Sequence, residues 1–177
     1  MRYRRSDTAS GTFFFTLNLA NRSSRLLTRH IHVLRDAVRK VQHAHPFRIV
    51  AMVVLPDHLH AVWTLPSGDN DYPLRWSLIK AGFSRSLEST EHISESRRRK
   101  RERGIWQRRY WEHQIRDDID LGRHVDYIHI NPVKHGHVDV PVSWPYSSIH
   151  QYIRRGILPA DWAIDRRGVG MGVGFGE

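Results

Sequence analysis

Along the chain the spacing of apolar and polar positions changes several times, and each change marks an element. Thr12 to Leu19 is aromatic and β-branched, the composition of a first strand. Asn21-Arg22-Ser23-Ser24 reads as a turn. From Thr28, taken as an N-cap, apolar residues recur at Ile31, Leu34, Val38 and Val41, the period of an amphipathic helix. Arg29, Arg35, Arg39 and Lys40 occupy its other face, and His45-Pro46 should end it, because a residue before proline disfavours the helical region. Phe47 to Leu55 is nearly continuous in apolar residues, as expected of a central strand covered on both faces. Pro56-Asp57 links it tightly to His58–Leu65, the expected hairpin partner. A loop follows, and Pro73 suits the first turn of a helix. Trp76, Ile79, Phe83 and Leu87 supply its buried stripe, with Arg75, Lys80 and Arg85 expected outside.

Residues 94–104 contain Arg97-Arg98-Arg99-Lys100-Arg101, a block that must be solvated or paired with anions and that reads as a surface loop. Ile105 to His113 interleaves aromatic and basic residues, which suits a surface where bases stack and phosphates are neutralised. It equally suits an edge strand with snorkelling arginines. Asp117-Asp118 opens a helix with acids in its first turn, running to Asn131, where Pro132 should stop it. A connection over 133–146 leads to a short helix, Ser147 to Arg155, capped by Gly156. The order strand, helix, strand, strand, helix, strand predicts an α+β, ferredoxin-like split βαβ sandwich with an antiparallel sheet, a further helix and a C-terminal helical extension. Residues 1–11 read as a basic arm, 12–160 as one domain, and the glycine-alternating stretch 161–177 as a disordered tail. Such a fold hosts many functions and decides none.

Charge narrows the choice. The 177 residues carry 28 Lys and Arg against 18 Asp and Glu, a net charge of +10, which argues for a polyanionic partner. No stretch approaches the length of a membrane span. Cysteine is absent, which removes disulfides, thiolate zinc sites and cysteine nucleophiles. A reducing cytoplasm is compatible with that.

Candidate chemistry centres on His58-Leu59-His60. On a strand, alternate side chains share a face, so two imidazoles stand side by side as a ready pair of metal ligands. Two polar residues on the wet face of a half-buried strand fit the same spacing. Tyr127 and Asn131 lie four apart on the predicted helix and share a face. A tyrosine becomes a useful nucleophile toward a phosphate polarised by a metal, and the Asn131 amide oxygen could join His58 and His60 as a third ligand. A core tyrosine and a helix C-cap asparagine fit equally.

His58-Leu59-His60 followed by Asp126-Tyr127-Ile128-His129-Ile130-Asn131-Pro132-Val133-Lys134-His135-Gly136 resembles the REP-associated tyrosine transposases, within the single-tyrosine HUH transposases. The resemblance extends to the Phe-Phe-Phe-Thr strand, Val54 to His58, Trp106 to Arg116, and Trp144-Pro145-Tyr146-Ser147. It implies that Tyr127 is the nucleophile and that His58, His60 and Asn131 hold a divalent cation, Mg²⁺ or Mn²⁺. Relatives outside the group carry Gln at the Asn131 position, and 94–104 looks like a basic insertion. The implied activity is endonuclease and strand transfer on single-stranded or hairpin DNA of the REP palindrome type, through a 5′-phosphotyrosine. The implied setting is the cytoplasm, at the nucleoid, with a monomer expected and a dimer as the alternative. Arg4, Arg5, Arg97, Arg98, Arg99, Lys100, Arg108, Arg109 and Lys134 are the candidate DNA contacts. Two rivals remain: a non-catalytic nucleic-acid-binding module, and a metal-dependent hydrolase that uses activated water.

Overall fold

The computed structural model describes residues 11–89, 93, 95–99 and 102–163. The strands β1 (Thr12–Asn18), β2 (Arg48–Val54), β3 (His58–Thr64) and β4 (Trp111–Gln114) form one antiparallel sheet in the order β2-β3-β1-β4. Helices α1 (Leu26–Arg29) and α2 (Ile31–Ala44) connect β1 to β2, and α3 (Tyr72–Arg85) lies between β3 and β4. This is the ferredoxin-like α+β arrangement that the element order predicts. The short α4 (Glu95–Arg99) precedes β4, α5 (Asp118–Lys134) follows it, and α6 (Ile149–Arg154) comes last.

Period-two alternation in β1 assigns the two faces. Phe13, Phe15 and Leu17 join Leu34, Val38, Trp76, Ile79 and Phe83 in the layer shared with α2 and α3. Phe14 turns the other way, into a second core with Val53, Val62, Leu121, Val125, Tyr127, Ile128 and Ile149. The sheet is thus covered on both sides, with α5 on the Phe14 face.

Several expectations need correction. The apolar run 47–55 is an edge strand, β2, and β3 is the central one, with all seven residues buried. The two core layers cover the faces of β2, and its outer edge is itself occupied: Val54 N donates to Tyr146 O (2.9 Å), Ser148 N to Met52 O (2.8 Å) and Trp144 Nε1 to Val54 O (2.9 Å). Thr28 caps nothing; it lies inside α1, and the break before α2 falls at His30. Arg75 is buried, its guanidinium forked among the carbonyls of His45, Pro46 and Asp71 and the Asp69 carboxylate. Lys80 is half-buried, donating to Gln107 O at 3.0 Å above the Trp106 and Tyr110 rings, and burial lowers its ammonium pKa to about 8. The basic block holds a short helix rather than an unstructured loop. Pro132 sits inside α5, which continues to Lys134, since a proline in the last turn forfeits little of the ladder.

Candidate active site

β3 and α5 each supply half of a buried polar cluster. His58 and His60 are 1% and 0% exposed, which rules out the wet-face reading. Antiparallel register sets His60 opposite Thr16 and His58 opposite Asn18, on the α5 side of the sheet. The His60 Nδ1 meets Thr16 Oγ1 at 2.9 Å, and the His58 Nδ1 meets Asp57 Oδ1 at 2.8 Å. Both rings are therefore oriented by a neighbour at Nδ1, the arrangement that fixes metal-bound imidazoles. The Nε2 of His58 is buried and makes no hydrogen bond. Burial lowers the His58 pKa, against the opposing pull of the Asp57 carboxylate, which favours the neutral, ligating form. Asp57 is itself held by Arg22 Nε at 2.7 Å.

From α5, Tyr127 and Asn131 are both buried, one turn apart. The Tyr127 ring stands 5.2 Å from that of His60, and the two histidine rings are 5.1 Å apart. Lys134 Nζ lies 3.4 Å from the Tyr127 hydroxyl and 5.0 Å from its ring centroid. The end of α5 is shaped by Gly136 at φ +68°: Gly136 N donates to Val133 O and His137 N to Pro132 O, both at 2.9 Å, a Schellman closure. That closure leaves His135 with its ring 4.9 Å from His58. Lys-His-Gly thus has a local meaning: a cation on the tyrosine, an imidazole beside the histidine pair, and a glycine for the left-handed residue.

The other candidate cations are dispersed. Arg98 and Arg99 are exposed on α4, Arg99 pairs with Glu95, and Arg109 is exposed. Arg108 is engaged with Glu102 and Ser96. This segment is tied to the end of α3 by Arg103, which donates to the carbonyls of Ser84, Leu87 and Glu88, so it belongs to the layer across the sheet from Tyr127. Arg97 shares that helix, while Arg4, Arg5 and Lys100 lie outside the described residues, as do 164–177. Only Lys134, of the candidate cations described, stands at the tyrosine. Thr16, Asp57 and His135 had no role assigned from sequence. The acid preceding the histidine pair and the strand alternation of Thr16 were the available signals.

No protein-family model matches the chain. The REP-associated tyrosine transposase of Escherichia coli (strain K12) is 47% identical over 163 residues, 92% of this chain and 91% of that protein. The chain belongs to the REP-associated tyrosine transposases. A Haemophilus influenzae relative bearing the same family name is 45% identical over 161 residues, 90% of this chain and 92% of its own. A solved structure described as the REP-associated tyrosine transposase bound to a REP hairpin superposes with a TM-score of 0.80 at 45% identity, covering 100% of this chain and 97% of that one. This REP-associated tyrosine transposase therefore shares with that structure the sheet and helices that carry the cluster. It is a transposase enzyme with a tyrosine nucleophile. Among its described residues no helix is long and apolar enough to cross a membrane.

Proposed function

We propose that this transposase cleaves and rejoins single-stranded or hairpin DNA of the REP type, with Tyr127 as nucleophile and a divalent cation held by His58, His60 and Asn131. The observation that carries this reading is the meeting of the Tyr127 ring with the oriented histidine pair, 5.2 Å from His60. The residues fit an ion: two buried imidazoles, each oriented at Nδ1, a His58 Nε2 with no hydrogen bond, and a fully buried asparagine. When bound, a divalent ion supplies Lewis-acid polarisation of a phosphate oxygen. Two imidazoles favour Mn²⁺ by ligand type, whereas Mg²⁺ prefers oxygen.

The Tyr127 oxygen loses its proton and attacks phosphorus in line. The bond from phosphorus to the 3′ oxygen breaks, that oxygen takes up a proton, and the 5′ side remains as a phosphotyrosine. Another 3′-hydroxyl then attacks the adduct, restoring Tyr127 and joining strands with no external energy source. Lys134, donating toward the Tyr127 hydroxyl, sits where negative charge gathers when tyrosine departs. The solved relative described as bound to a REP hairpin supports a hairpin as substrate. An enzyme acting on chromosomal DNA would work in the cytoplasm, at the nucleoid.

An oligonucleotide carrying a REP-type hairpin and its flank tests this. The unaltered chain with Mn²⁺ should give a denaturation-resistant adduct, and Tyr127→Phe none. An undiminished adduct in Tyr127→Phe would move the nucleophile elsewhere. Cleavage without any adduct would favour activated water, and binding alone would favour a non-catalytic module.

A further inference from the structure

Two strands outward from the histidine pair, across β1, three side chains converge on the same face of the sheet. β4 sets His113 opposite Phe14, and α5 carries Asp120 and His124 one turn apart, just ahead of Tyr127. One ring nitrogen from each histidine and one carboxylate oxygen of Asp120 all lie within 4.8 Å of one another. The His113 Nε2 is 2.8 Å from Asp120 Oδ2, the His124 Nδ1 is 3.2 Å from Oδ1, and the two imidazoles stack 4.8 Å apart with planes 15° from parallel. The Phe14 ring stands between this cluster and the first, 4.7 Å from His124 and 5.6 Å from His60.

A purely structural role explains part of this arrangement. Asp120 caps the turn before α5 by accepting from Arg116 N at 3.0 Å, with the Arg116 side chain at 3.3 Å. Capping needs neither histidine, and it leaves unexplained why two stacked imidazoles from different elements converge on one carboxylate. As a donor set, an Asp and a His at i and i+4 on a helix with a His from a strand offer two imidazoles and one carboxylate. That set suits a borderline divalent ion such as Zn²⁺. The Asp120 carbonyl accepts from His124 Nδ1 at 2.8 Å, a backbone bond that fixes the tautomer and leaves Nε2 as the nitrogen to ligate. The His113 side chain is 25% exposed, which leaves a route from solvent.

We infer that His113, Asp120 and His124 form a second divalent-cation site of the Zn²⁺ class, which staples β4 to α5 and so fixes the helix that bears Tyr127. The site takes no part in bond making. It needs no assumption about the ion at His58 and His60, so the two assignments can fail separately.

The metal-stripped full-length chain, titrated with Co²⁺ and followed by calorimetry and visible absorption, tests it. The unaltered chain should take two equivalents, and His113→Gln, which keeps a hydrogen-bond donor for Asp120, should take one. His113→Cys should regain the second equivalent with a thiolate-to-cobalt absorption band, which a structural role alone would not produce. A single equivalent in the unaltered chain that survives His113→Gln would overturn the site, as would two equivalents retained in His113→Gln. The double variant His58→Ala/His60→Ala should keep the equivalent that His113→Gln loses. If it keeps both, the first assignment fails and the second stands only if His113→Gln still drops one.

Discussion

At the residue scale, the cluster depends on side chains that never touch the reacting phosphate. Thr16 and Asp57 each hold one imidazole at Nδ1, so the direction of each Nε2 is set by the sheet rather than by chance rotamers. Thr16→Val keeps shape and strand propensity but removes the bond to His60. It should weaken metal affinity by about 10- to 100-fold while leaving the fold intact, and excess Mn²⁺ should restore most of the cleavage rate. A loss of rate that no metal concentration repairs would assign Thr16 another role. Spacing puts His58 with His60 and Tyr127 with Asn131 on shared faces, but it was the family resemblance, not spacing, that singled them out as a candidate site. Their burial was not legible, since a polar residue in a strand looks the same whether a helix or water lies over it. His135 escaped notice for a different reason. Its place beside His58 comes from a left-handed turn at Gly136, and spacing within a helix says nothing about residues past its end.

At the element scale, the long helices and the ferredoxin-like arrangement were readable, and the edge position of β2 was not. An apolar run such as Ile49 to Val54 means two covered faces, yet it cannot say whether the cover on its edge is another strand or the segment 144–148. Arg75 shows the same limit. Its position on α3 reads as solvent-facing, but the preceding loop folds back and surrounds the guanidinium with carbonyls and Asp69. Those bonds tie the start of α3 to the turn between α2 and β2. Arg75→Met should lower unfolding stability by about 3 kcal/mol, because the carbonyls and Asp69 lose their shared donor. Chemical denaturation checks this, and a change within experimental scatter would show that water replaces the fork at little cost.

At the scale of the whole molecule, acid should act through the core beneath α5. His129 is fully buried, with Nε2 3.0 Å from Ser148 Oγ and its ring against Tyr152 and Trp162. Burial, with a smaller push from His150, holds its pKa down at about 3, against 6.5 for an ordinary histidine. The unfolded chain therefore takes up this proton first. Stability on this account is intact above about pH 6.5 and falls as pH drops toward 3, by up to about 1.4 kcal/mol per pH unit. In denaturation curves measured from pH 6.5 to 4, His129→Asn should show a shallower decline than the unaltered chain, and equal slopes would exclude His129 as the cause. The stripe Asp120, His124, Tyr127 and Asn131 carries a different consequence, for how such a chain can change length. A residue added within that stretch turns everything beyond it by about 100°, parting Tyr127 from the strand it faces. The connection from 137 to 146 offers more room for an added residue without moving the tyrosine. An added residue should therefore be tolerated in the connections and not within the helix.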